Sequence, residues 1–502
     1  MKKSLRITLA GLMVLAMLVG CGFSPTASSE ERSSASSAAE TALTAASSDS
    51  MPDTTVSERD ASGEYDASQA KKLSADGDLT IREAGVYVLS GKYTGMIVIE
   101  AGEEDKVQLV LENASLTNDA GPAIYVRSAD KVFITAAKGT VNTITDGADY
   151  TLTEDETTLD AAVFSREDLT INGSGTLTIT GNCKHAVVSK DDLVVTAEDL
   201  TVTAANVGLN GKDSVKLSKA AVSITAGTDG IRSDNDTDAA KGFVSVADSE
   251  VTIVSGNDGI QTETVFTAEN ADVTVTSGGG SSARSSSSES SKGIKAGASV
   301  TINGGVYQID ALDDAIHTNG SLAIQAGSFT INSGDDGVHA DEKAEISGGT
   351  LTITAPEGIE ATYVLISGGD ITITATDDGV NAGRKSASYT PAVEITGGNL
   401  TIAMGPGDTD GIDSNGNITI TGGTISISGS SAFDYDGSAT FTGGTVYVNG
   451  QQVTTLPNQM MGGGMQGGFG GQNGFGNQGG FGGSPGGHGG QGGFGGGPGG
   501  RH

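Results

Sequence analysis

The chain has 502 residues, 77 of them glycine, no tryptophan, and a formal charge of −34. Phosphate recognition needs a footprint of lysine and arginine, so this balance excludes nucleic acid as a partner. It suits cation binding or simple solubility, and two cysteines, at positions 21 and 183, leave no disulfide framework.

Taken in chain order, the first segment is a targeting signal. Lys2, Lys3 and Arg6 form a basic start, and "ITLAGLMVLAML" is an apolar core too short to span comfortably as a helix. The run ends "LVGC", so residues 1–20 read as a signal peptide. Cys21, behind the small Gly20, resembles the lipobox cysteine of bacterial lipoproteins, which is lipidated and becomes the first residue of the mature chain. An uncleaved anchor or an ordinary secretory signal are the alternatives. Residues 21–70, as in "TASSEERSSASSAAETALTAASSDS", hold too little apolar surface to order themselves. They are expected to be a disordered linker that holds the folded part off a membrane.

A single domain, residues 71–456, follows, and internal repeats decide its architecture. A small residue before a buried aliphatic recurs at Ala123-Ile124, Ala162-Val163, Ala186-Val187, Gly208-Leu209, Gly230-Ile231, Gly259-Ile260 and Gly293-Ile294. It continues at Ala315-Ile316, Gly337-Val338, Gly358-Ile359, Gly379-Val380, Gly411-Ile412 and Ala432-Phe433. Seven of the twelve spacings are 21 or 22, and the longer ones contain insertions such as "DNDTDAAK" and "GRKSASYTP". Runs such as "DITITA" alternate isoleucine and threonine and stop at Gly or Asp, which predicts short strands and tight turns. Strands this short bury an apolar face only when successive turns stack, each ~4.8 Å from its copy. The fold class is therefore all-β, a parallel β-helix of about 13 coils, with right-handed coiling expected from the general chirality of β connections. A β-propeller is the weaker alternative, because its blades need ~40 to 50 residues. Residues 73–121 are less regular and are expected to cap the open end. Cys183 has no catalytic partners around it and is expected to be inert.

Stacking turns sequence columns into physical rows. The position before the small residue reads Asp229, Asp258, Lys292, Asp314, Asp336, Glu357, Asp378 and Asp410, and the position before that includes Asp313, Asp335 and Asp377. Carboxylates one rung apart repel by ~1 kcal/mol in water and more near a protein surface, so a row of them calls for a counter-ion. Calcium, which takes six to eight oxygen ligands, fits. Asp-Gly turn chemistry explains single acids without metal, but not the paired ones. Asp234 and Asp236, in the "SDNDTD" insertion, are a second and less regular set of candidate ligands. Two places after the small residue an outward row reads Asn210, Arg232, Gln261, Lys295, His317, His339, Glu360, Asn381, Asp413 and Asp434. Hydrogen-bonding side chains at rung spacing suit an extended sugar chain, whose repeat of ~5 Å is close to the ~4.8 Å rise. A solvated strand face is the plainer reading of the same row.

"EAGVYVLSGKYTGMIVIEAGEEDKVQLVLENASLTNDAGPAIYVRSADKVFIT", followed by "SKDDLVVTA", "GIRSDNDTDAAKGFVSV" and "NDGIQTETVFTAENADVTVTSGGG", resembles the carbohydrate-binding β-helix lipoproteins of Gram-positive anaerobes. The resemblance covers residues 73 to 450. It implies a right-handed, pectate-lyase-shaped β-helix with calcium that binds cellulose or acidic pectic glycans. Such a protein would be monomeric and lipid-anchored on the outer face of the cytoplasmic membrane. Residues 457–502, rich in Gly and Phe, read as a disordered tail outside the binding domain.

The expected function is non-catalytic polysaccharide binding. One alternative is a calcium-dependent lyase using Lys295 or Arg232 as base. Another is a structural or adhesive surface protein that displays the tail.

Overall fold

The computed structural model describes residues 52–73, 77–151, 158–284, 290–406 and 409–458. The expected signal peptide, Cys21 and the tail with its two histidines lie outside the described residues.

Three parallel sheets wrap one core. The first sheet contains Ile124–Ser128, Ala161–Ser165, His185–Ser189, Leu209–Gly211, Ile231–Ser233, Ile260–Thr262, Ile294–Ala296 and Ile316–Thr318, and it continues rung by rung beyond them. Every step of the predicted series is a register pair, from Ile124 with Val163 to Ile412 with Phe433. Insertions change the loop between rungs and leave the register unaltered, because each aliphatic side chain must point into the core.

Inside, like stacks on like. Ile224, Ile253, Ile331, Ile353, Ile373, Ile402 and Ile427 form one buried column of the third sheet, and Tyr307 stacks on Phe329 at 4.6 Å and 9° in another. Each fully buried aliphatic side chain contributes about 1.5–3 kcal/mol, so adding rungs adds stability in near-equal steps.

Corners explain the non-aliphatic letters. Between the second and third sheets the backbone enters the left-handed region. Earlier rungs place Lys219 (φ 52°), Asp248 (φ 48°) and Asn270 (φ 49°) there, and later ones use the second glycine of a Gly-Gly pair, as at Gly369 (φ 89°). At the corner leading into the first sheet the small residue is required by space. A Cβ on Gly358 would lie 2.4 Å from the Gly379 carbonyl oxygen and 2.5 Å from Ile373 Cγ2.

Residues 73–121 differ from the expected cap. They form regular rungs: Leu79 pairs with Ile97 and Ile97 with Ile124, and Tyr87 pairs with Leu109. The sequence signal fails because the small residue is missing: Asp78 precedes Leu79 and Met96 precedes Ile97. At the other end an antiparallel pair joins Val446 to Val453 through an Asn449-Gly450 turn with φ of 50° and 77°.

The described part of the linker, from residue 52, also departs from expectation. Glu58–Ala61 is one helical turn capped by Ser57, and Asp60 is buried against the second sheet. Asp60 Oδ1 lies 2.8 Å from Lys131 Nζ and accepts a 2.5 Å hydrogen bond from Thr170, while its carbonyl accepts from Asn172 and Thr196. Burial raises this carboxyl, but the bonds from Lys131, Ser57 and Thr170 outweigh it and hold the group below its ordinary value. Further along, the Tyr65 hydroxyl donates to Glu112, and Pro52, Thr54 and Val56 sit beside Ser218, Ala247, Glu269 and Asn303. This strap therefore lies across successive strands of the second sheet and covers its outer face.

Gly358→Leu is expected to cost about 3 kcal/mol through overpacking, read as a lower denaturation midpoint by far-UV circular dichroism. An unchanged midpoint would show that this corner has room. Asp60→Ala strands Lys131 and is expected to cost about 3 kcal/mol and to make residues 52–70 sensitive to protease. An unaltered cleavage rate would show that Asp60 does not hold the strap.

Candidate functional site

The predicted acid column exists. Backbone N–H groups beside it bond from rung to rung: Gly208 to Asp229, Gly230 to Asp258, Gly259 to Lys292, Gly293 to Asp314, Ala315 to Asp336, Gly358 to Asp378, and Gly379 to Asp410. The carboxylates add a ladder of their own. Asp258 Oδ1 accepts the Lys292 N–H at 2.8 Å, Asp314 Oδ1 accepts that of Asp336 at 3.1 Å, and Asp378 Oδ1 accepts that of Asp410 at 3.1 Å. An aspartate here thus satisfies a corner amide of the next rung, a structural reason for the column that holds with or without a metal.

Four of the acids also meet the outward residue three places later. Arg232 Nη1 is 3.4 Å from Asp229, Lys295 Nζ 3.5 Å from Asp258, His317 Nδ1 2.8 Å from Asp314 and His339 Nδ1 2.6 Å from Asp336. Column and row are one strip. Its centre is dense: His339 Nδ1 is also 2.9 Å from Glu360, Lys385 Nζ is 2.7 Å from Glu360, and Lys292 Nζ is 2.9 and 2.6 Å from Asp313 and Asp314. Among the described residues, three sets offer donors within 4.8 Å of one another: Asp314, His317 and His339; Asp336, His339 and Glu360; and Asp313, Asp314 and Asp335.

Charge follows this geometry. Burial works against an imidazolium, but Asp336 and Glu360 outweigh it and push His339 up to about 10. Burial raises Asp314 as well, yet His317 and Lys292 hold it well below the carboxylate range. Towards the C-terminal end the compensation is different. Burial, then Glu360, pushes Glu357 up to about 7. Burial, with Asp413, Asp377 and Asp410 around it, pushes Asp378 up to about 7, and burial with Asp434 and Asp410 pushes Asp413 up to about 6.

Other predicted residues fall on the strip without joining a three-donor set. Gln261 is half-buried between Arg232 and Lys295, and Asn381 donates to Glu357 at 3.0 Å and to Glu360 at 3.3 Å. Asp377 is exposed. Asp234 pairs with Arg232 at 3.5 Å while Asp236 is exposed, so the insertion does not gather its acids into one donor set. Two partners went unread in the sequence. Lys385 sits in the 383–391 insertion, off the repeat, and Lys292 is an ion-pair clamp where its column otherwise carries acids. Burial pushes the Cys183 thiol up, in keeping with an inert residue.

The outward row continues towards the N-terminus as Val188, Phe164, Tyr125 and Val98. There it is apolar, and these side chains are buried with Leu159 and Met96. From Asn210 onward the row is polar. Among the described residues four buried side-chain atoms have no hydrogen-bond partner, and three of them, Asn210 Oδ1, Arg232 Nε and Asp434 Oδ1, belong to this row. Such atoms cost about 1–3 kcal/mol each until a ligand or water meets them.

A parallel β-helix whose one sheet presents a ladder of polar side chains is a solenoid built around an elongated surface. A family model described as carbohydrate-binding domain-containing protein matches residues 75–337 and 321–452, and the protein belongs to that family. A carbohydrate-binding domain-containing protein of Acetivibrio thermocellus is 34% identical over 129 residues, 25% of this chain and 45% of its own length, so the match spans less than half of that relative. A solved structure of the polysaccharide lyase-like protein from C. thermocellum, a gadolinium derivative, is 35% identical, covers 40% of this chain and 82% of its own, and has a TM-score of 0.39.

Glu357, Asp378 and Asp413 have folded values above those of the unfolded chain. The folded state then holds more protons than the unfolded one between about pH 4 and 7, and stability falls as pH rises through that window. His339, raised above its unfolded value, loses stabilisation in the same direction above about pH 6.5, whereas the lowered Asp314 contributes fully throughout. In chelator the melting temperature is expected to drop between about pH 5.5 and 7.5. A rise over that range would contradict the assignment.

Proposed function

We propose that this protein holds polysaccharide along the outward row of the first sheet and does not cleave it. The observation that carries this reading is the row itself: polar side chains in unbroken one-rung register from Asn210 to Asp434, three of them with buried atoms still lacking partners. Membership of a carbohydrate-binding family supports it. Sugar hydroxyls donate and accept, so they match a row that offers amide, guanidinium and carboxylate groups in turn. Arg232 and Lys295, the bases a lyase would draw on, each face a carboxylate, which favours binding over proton abstraction.

Calcium is part of the proposal. Asp377, Asp378 and Asp410, with Asp413 beside them, supply oxygen donors where neighbouring carboxylates surround Asp378. Asp229 and Asp258 already face Arg232 and Lys295, so they fit a cation less well. We also propose the lipid anchor at Cys21, a place on the outer face of the cytoplasmic membrane, and a monomer.

An array of cellulosic and pectic glycans, run with calcium and then with chelator, tests the reading. Retention of at least one glycan is expected, and the double variant Arg232→Ala, Gln261→Ala is expected to weaken it tenfold or more, about 1.4 kcal/mol, with the β-rich far-UV circular dichroism spectrum retained. No retention in either condition, or release of unsaturated sugars from polygalacturonate, would overturn it.

A further inference from the structure

We propose that Asp314, His317 and His339 form a binding site for a divalent transition-metal ion of the zinc class, separate from the oxygen-only corner at Asp378.

Two consecutive rungs carry the same five-residue pattern, Asp-Asp-x-x-His, as "DDAIH" at 313–317 and "DDGVH" at 335–339. Register sets His317 directly on His339, and their rings stack with centroids 4.6 Å apart at 18°. Of five histidines in the chain, these two are brought together by the fold alone. One donor atom each from Asp314, His317 and His339 lie within 4.8 Å of one another. Bonds of about 2.0–2.2 Å to a shared ion require that triangle to contract and the near-parallel rings to turn until both Nδ1 lone pairs meet the ion.

Donor chemistry selects the ion. Calcium and magnesium take oxygen, whereas imidazole nitrogen suits zinc, cobalt, nickel and iron. Two imidazoles with one carboxylate leave an open position, as in sites that keep a water or a ligand oxygen on the metal. The second nitrogen of each ring is also engaged. His317 Nε2 is 3.0 Å from Asn319 Oδ1, and His339 Nε2 is 3.2 Å from Asp341 Oδ1, so an oxygen steadies each ring from its second nitrogen. The surroundings are acidic: Lys292 pairs with Asp313 and Asp314 and Lys385 with Glu360, while Asp335 lies beside Asp313 and Asp314, and Asp336 and Asp341 meet His339. A divalent ion on the stacked imidazoles would offset that excess.

The test uses the untagged full chain, stripped with chelator and titrated with Co(II), whose visible absorption reports imidazole coordination. One equivalent is expected to bind, to be displaced by Zn(II), and to remain in place in millimolar calcium. His317→Ala and His339→Ala are each expected to weaken Co(II) binding at least tenfold, while His185→Ala leaves it unchanged. Absence of the absorption in the wild-type chain, displacement by calcium, or undiminished binding by the double histidine variant would overturn the proposal. The wild-type titration decides even where a variant fails to fold. It involves no glycan, so its failure is separate from failure of the polysaccharide reading.

Discussion

Rung-on-rung register is the constraint on which everything else rests. Each aliphatic side chain must sit on its copy one coil away, since a slip of one residue would turn the core face to water. Insertions of very different length are therefore expelled into corners, as between Ile260 and Ile294, which remain partners across a Ser-rich loop. A consequence reaches the surface. Whatever letter follows a core position is carried in register with it, so outward residues form rows without any direct contact between them being selected.

Those rows have an electrostatic cost that this molecule meets in different ways along its length. Near Asp229 and Asp258 an arginine and a lysine from the outward row fold back on the acids. In the middle, Lys292 replaces an acid in the column itself, and two histidines join. Near Asp378 and Asp413 burial and neighbouring carboxylates raise both groups, so a proton or the proposed calcium offsets the charge. A surface of uniform sequence logic is thus chemically graded, with cationic, imidazole and carboxylate zones under one continuous row.

Much of the fold was legible because the repeat writes the same geometry many times. The series from Ile124 to Phe433 needed only spacing and the choice of small residues before aliphatic ones. The strap was not legible, because Glu58 to Tyr65 has the composition of a linker, and Asp60 is anchored to the sheet by Lys131, Thr170, Asn172 and Thr196 on three separate rungs. The rungs before Ile124 were hidden for a different reason. They carry Asp78 and Met96 where later rungs have the small residue before the aliphatic one. Of the candidate site, the stacking of Asp314 with Asp336 and of His317 with His339 was legible. The engagement of Lys385 with Glu360 was not, since that lysine lies in a loop outside the repeat.

By itself, then, the sequence determined which residues share a rung, which face the core, and which letters fall into the acidic and polar rows. It could do so because short-range periodicity and the strand spacing leave a single way to bury the isoleucines. Only the tertiary structure decided how those rows are neutralised and covered. Side chains from insertions, and a segment far upstream in sequence, reach the rows through space, and no periodicity encodes where they land.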